Sequence, residues 1–90
     1  MSIIISYDIS NNELRSSFSK MLTSNGAIRL QFSVYEFVNT KRVTDNMMLK
    51  IERFAKHFSA DDSVIIFNID KAELTKYGNA IHRDRDILYF

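Results

Sequence analysis

Asp8 is the first side chain in this sequence whose type and position suit chemistry. It follows the stretch Ile3-Ile4-Ile5-Ser6-Tyr7, whose Ile3 to Ile5 form an apolar, β-branched run with the composition of a central strand. Directly after it, Ser10-Asn11-Asn12-Glu13 fits a capping box, with the Ser10 hydroxyl on the Glu13 amide and the Glu13 carboxylate reaching back. An aspartate at the carboxyl end of a strand, beside the unpaired amides of a starting helix, stands where ligands and metals are often held. The same position also suits a carboxylate that only favours a helix N-terminus, a contribution of about 0.3–1 kcal/mol.

Arg15 is the second candidate. It falls on the first turns of the following helix but outside its apolar stripe of Leu14, Phe18, Met21 and Leu22, so it faces solvent or a cleft. A guanidinium fork there suits a phosphate, and a pairing with Glu13 is the alternative. Lys41, Arg42, Lys50, Arg53 and Lys56 lie on or beside a second helix, where they form either a solvated face or, duplicated by a dimer, a duplex-binding stripe. His57 and His82 have no carboxylate or histidine at metal-motif spacing, and no Ser-His-Asp constellation is suggested.

The elements that must position these groups follow from periodicity. A first strand ends near Asp8, and a helix from about Asn11 to Ser24 stops at Asn25-Gly26. The stretch from Ala27 to Thr40 is rich in β-branched and aromatic residues and is too long for an average strand. It is one long bent strand or two strands broken near Gln31 to Ser33. Val43, Met47, Ile51, Phe54, Ala55 and Phe58 predict a second amphipathic helix from about Lys41 to Phe58. Asp61-Asp62 is a turn, and Ser63 to Ile69 is a further strand. The order β-α-β-β-α-β predicts an α+β fold, an antiparallel sheet with both helices on one face in the ferredoxin-like arrangement. In the tail from Asp70 to Phe90, the apolar end Ile87-Leu88-Tyr89-Phe90 is expected to add an extra strand, more readily to a partner's sheet than to its own.

Composition narrows the function classes. Ninety residues without a linker or internal repeat make one domain over 1–90, and a domain this small buries only about two-thirds of its unfolded surface. Some of its apolar surface is therefore expected to close a subunit interface. With no cysteine, a disulfide framework and a thiolate metal site are both excluded. No apolar run approaches the roughly 20 residues that span a bilayer, which predicts a cytoplasmic protein with no membrane partner. Twelve basic against eleven acidic residues leave room for a positive groove but give no basic tail.

Taken together, Tyr7-Asp8-Ile9 after an aliphatic strand, Arg15 on the next helix, and Arg29-Leu30-Gln31-Phe32-Ser33-Val34-Tyr35-Glu36 resemble the small CRISPR-associated adaptation protein, also called the CRISPR-associated endoribonuclease. The resemblance spans about residues 2 to 69. It implies a ferredoxin-like homodimer whose two Asp8 side chains face each other across the two-fold axis. It also implies a magnesium-dependent cleavage of RNA or DNA in some members, and a place in spacer acquisition bridging the adaptation integrase and holding duplex DNA. Arg15 and Arg29 match basic positions of the family and become its phosphate contacts. Tyr7 and Tyr35 are expected in the core.

The chemistry is consistent with a shared site. Mg2+ prefers oxygen ligands and is usually held by one or two carboxylates plus phosphate. One Asp8 makes a poor site, and two brought together by a dimer axis make a plausible one, with the metal able to activate water and offset phosphate charge. Three readings stay open: a metal-dependent endonuclease acting on single-stranded RNA or DNA, a non-catalytic scaffold binding duplex DNA, and a toxin-type ribonuclease of the same fold.

Overall fold

In a computed structural model, which describes residues 1–69 and 73–78, six elements run in the expected order. They are β1 (Ser2–Asp8), α1 (Asn12–Ser24), β2 (Ile28–Gln31), β3 (Val34–Val38), α2 (Lys41–Ala55) and β4 (Ser63–Ile69). The sheet order is β2-β3-β1-β4, and each neighbouring pair is antiparallel. This is the ferredoxin-like arrangement. The Ile87-Leu88-Tyr89-Phe90 end and its expected extra strand lie outside the described residues.

β1 is central because it can be buried on both faces: Ile3, Ile4 and Ile5 are all buried. Alternation sends Ile3, Ile5 and Tyr7 to the helix side, where they meet Tyr35 and Phe37 of β3, Phe18 and Leu22 of α1, and Met47 and Ile51 of α2. Phe18 is the hub, edge-to-face with Tyr7 at 4.9 Å and with Phe54 at 5.4 Å between ring centres. Among the described residues the opposite sheet face carries no helix. Val38, Ile65 and Phe67 are about half exposed there.

The region 27–40 resolves into two strands. Phe32 and Ser33 form the turn, and Ser33 takes a left-handed φ of 65°, uncommon for a residue with a side chain. The Ser33 carbonyl accepts a hydrogen bond from the Tyr7 amide at 3.0 Å, so the turn is tied to β1 beyond the regular ladder. A register shift between Arg29 and Gln31 bends β2. The stop at Asn25-Gly26 is a Schellman motif, with Gly26 at φ 99° and the Ala27 amide bonded to the Leu22 carbonyl.

Three local expectations are corrected. The N-cap of α1 is Asn11, whose side chain accepts from the Leu14 amide at 2.8 Å. Ser10 does not cap, because its amide and hydroxyl both donate to the Asp62 carboxylate across the domain. Helix α2 ends at Ala55 and not Phe58, since the amides of His57 and Phe58 bond back three residues, tightening the last turn. Its buried face carries Thr44, Met47 and Ile51, while Val43 is exposed.

Residues 73–78 lie against the helix-free side of the β2–β3 hairpin. Leu74, Thr75, Lys76 and Tyr77 share a concavity with Leu30, Gln31 and Val34. There Lys76 Nζ meets Glu36 Oε1 at 2.8 Å, with the Glu36 side chain only 2% exposed.

Candidate functional site

The carboxyl end of β1 holds Asp8 in the open. Its backbone pairs with Ser63 of β4, and strand alternation turns its side chain away from the helix layer that receives Tyr7. The helix cap and the Ser10 amide are served by Asn11 and Asp62, so neither consumes Asp8. Among the described residues Asp8 makes no side-chain hydrogen bond or ion pair, leaving its oxygens available. Tyr7, one residue earlier, is committed to packing. Burial pushes its phenol pKa up, against a smaller opposite effect of the Ser19 hydroxyl.

Arg15 reaches back to the same strand end. Its Nη1 donates to the Ile9 carbonyl at 2.9 Å and more weakly to the Ser10 carbonyl at 3.5 Å, and its Nη2 donates to the Asn12 side chain. The guanidinium is thereby fixed in place one residue beyond Asp8. A guanidinium carries five N–H donors, so these contacts leave donors over for a ligand. Glu13, the alternative partner read from sequence, makes no ion pair with it among the described residues.

Arg15 also lines a concavity of about 540 Å³ between α1 and the β2–β3 hairpin, together with Lys20, Arg29, Phe32, Ser33 and Tyr35. The two arginines selected from sequence therefore share one surface, and Lys20 joins them. Asp8 stands at the strand end on the other side of Tyr7, outside that lining. A second concavity, of about 620 Å³, is lined by Ser10, Glu13, His57, Ser59 and Asp62 and has no basic cluster. The cations of α2 divide: Lys41 pairs with Asp45, and Lys50 donates to the Asn25 side chain.

The order of elements, the Asp8 strand end and the paired arginines can be set against known proteins. The family described as CRISPR associated protein Cas2 matches residues 1–77. The chain belongs to the Cas2 family. It is 35% identical over 79 residues to a CRISPR-associated endoribonuclease Cas2 of Mycobacterium tuberculosis, an alignment covering 87% of this chain. It spans about two thirds, 66%, of that relative's length. A crystal structure of Streptococcus pyogenes Cas2 at pH 6.5 superposes with a TM-score of 0.68 at 17% identity, over 87% of this chain and all of that one. Another Cas2 crystal structure gives 0.65 at 26% identity, covering this chain fully and 95% of the other. A hypothetical protein, TT1823 of Thermus thermophilus, gives 0.64 at 23% identity over 77% of this chain and 80% of its own.

Against the Cas2 fold, the sequence reading misses several residues that shape the site. Asp62 was legible only as a turn, yet it fastens the start of β4 to the loop after Asp8 through Ser10. Backbone hydrogen bonds from Ser10 and Ser59 hold its carboxyl below the usual aspartate range. Lys20 gave no signal, because the groups it faces come from other elements, and Phe32 was legible only as a strand aromatic within the Arg29–Glu36 motif, not as an exposed turn residue. Among the described residues no group of three or more His, Cys, Asp or Glu is placed to hold a metal, so one protomer offers Asp8 as a single carboxylate. That donor set fits half of a magnesium site completed by a second carboxylate and phosphate oxygens. No helix of the described residues is long and apolar enough to cross a membrane.

Proposed function

We propose that this Cas2-family chain acts as a homodimer in CRISPR spacer acquisition, gripping duplex DNA through its phosphates and bridging the adaptation integrase. A magnesium-dependent endonuclease activity on single-stranded RNA or DNA would use Asp8 from both copies. The observation that carries the reading is the strand end itself. Asp8 is exposed with its oxygens unengaged among the described residues, and Arg15 is anchored to the next carbonyl with donors to spare. The half-exposed apolar side chains of the helix-free sheet face, Val38, Ile65 and Phe67, support self-association.

In this reading Asp8 and its copy in the second protomer would hold Mg2+. The metal would supply Lewis-acid charge neutralisation and an activated water. Arg15 and Arg29 bind and orient the phosphates, and the packed Tyr7 fixes the strand end from within. The scaffold alternative draws on a specific feature: within one protomer the basic concavity and Asp8 lie on opposite sides of β1. Binding can therefore operate without cleavage.

The test is a binding titration at two salt concentrations beside a cleavage assay with and without magnesium, on wild type and Asp8→Ala. Asp8→Ala is expected to abolish metal-dependent cleavage while leaving duplex affinity intact or raised. Cleavage undiminished in the purified variant would remove the site assignment, and salt-independent binding would remove the phosphate grip. Sedimentation at micromolar concentration should give twice the chain mass.

A further inference from the structure

Phe32 is the most exposed phenylalanine-sized contact the described fold offers beside its basic concavity. It sits at the tip of the β2–β3 hairpin, 83% exposed. Turns of this kind usually carry Gly, Asn or Asp, and a phenylalanine there returns nothing to the core. The ring is not loose, however. The Arg29 guanidinium lies over it, with its central carbon 4.8 Å from the ring centre, and the turn is pinned by the Tyr7 to Ser33 hydrogen bond. The pair forms a preorganised aromatic and cationic platform. Arg29 carries five N–H donors, more than one ring contact occupies, and so keeps donors for a phosphate.

Across the concavity α1 presents Arg15, Lys20 and the Ser16 hydroxyl. Ser19 and Thr23 are already engaged, the first with the Tyr35 hydroxyl at 2.6 Å and the second with carbonyls of its own helix. The concavity thus places an aromatic face on one wall and cations on the other. We infer that it is a subsite for one unpaired nucleotide, with the base stacked on Phe32 and the flanking phosphates on Arg15, Lys20 and Arg29. A paired base inside a duplex has both faces covered by its neighbours, so the platform selects single strands and frayed ends. Stacking on an aromatic ring is indifferent to base identity, and the subsite therefore reads strandedness and not sequence. The inference rests on the nucleic-acid-binding reading above and adds the form of nucleic acid that this surface takes.

The experiment measures anisotropy of a short labelled single strand and of the same sequence as a blunt duplex, with the full chain and with Phe32→Ala, Phe32→Leu, Phe32→Trp and Arg15→Ala. Phe32 is exposed, so its variants should melt like wild type. Phe32→Ala and Phe32→Leu are expected to weaken single-strand binding roughly 5- to 150-fold and to leave the blunt duplex unchanged, with Phe32→Trp restoring the affinity. Arg15→Ala should weaken both forms. Single-strand affinity unchanged in Phe32→Ala, or retained by the leucine variant, overturns the stacking subsite while Arg15→Ala still reports on the phosphate grip. Unchanged affinity together with altered sedimentation of Phe32→Ala would make the residue a protein contact and overturn it as well. Wild type binding neither form would overturn both this inference and the reading beneath it.

Discussion

Lys76→Met should be among the most destabilising single charge removals in this domain, and a second ion pair of the same length supplies the control. Lys76–Glu36 and Lys41–Asp45 both close at 2.8 Å. They differ in burial: the side chains of the first pair are 18% and 2% exposed, those of the second 78% and 55%. Among the described residues, removing Lys76 leaves the Glu36 carboxylate in the sheet face without a counter-charge, and its Oε2 has no hydrogen-bond partner even with Lys76 present. Breaking a buried pair in this way costs about 3–5 kcal/mol. Removing Lys41 breaks an exposed pair one helical turn apart that solvent already screens, so little stability goes with it. With roughly 4–8 °C per kcal/mol for a domain of this size, Lys76→Met should lower Tm by at least about 12 °C. Lys41→Met should move it by a few degrees at most. Both are read by urea and thermal unfolding at one fixed protein concentration, because self-association would make Tm depend on it. The double variant Glu36→Leu/Lys76→Met, which removes the buried charge with its partner, should recover to within about 1–2 kcal/mol of wild type. Equal, small losses for Lys76→Met and Lys41→Met would refute the argument that burial decides the worth of these pairs.

Other outcomes follow from single interactions. Asn11→Ala should cost about 1 kcal/mol in urea unfolding by removing the cap on the Leu14 amide, whereas Ser10→Ala should act through Asp62 and be suppressed in an Asp62→Ala background. The Asp62 carboxyl is held low by the amides of Ser10 and Ser59, so its contribution is present above its ordinary value of 3.8 and lost as pH falls through the lower folded value. Unfolding midpoints followed from pH 5 downward should therefore fall less steeply in Asp62→Ala than in wild type, and parallel curves would count against the latch. Arg29→Ala should reduce the slope of log affinity against log salt for duplex DNA by about 0.9 for each phosphate it no longer neutralises, with little change in sequence preference.

What the sequence determined by itself was whatever local pattern and covalent order dictate. The β-branched run before Asp8, the 3.6-residue stripes, the Asn25-Gly26 stop and the order of elements led to the ferredoxin-like fold, because hydrophobic periodicity must match the element that buries it. Motif order likewise brought out Asp8, Arg15 and Arg29, and the family match agrees with the resemblance they carried. Tertiary structure decided the interactions whose partners lie far apart in the chain. Ser10 looked like a cap, yet Asp62, 52 residues on, takes both its donors, and the neighbouring asparagine caps instead. Glu36 read as part of a strand motif, and only the return of Lys76 across the sheet made it a buried ion. Phe32 read as one more strand aromatic, and only the turn at Ser33 brought it out beside Arg29 and opposite α1. Sequence spacing fixes which face of its own element a side chain occupies. What that face meets is set by strand pairing and chain return, and these depend on the whole domain closing around one core.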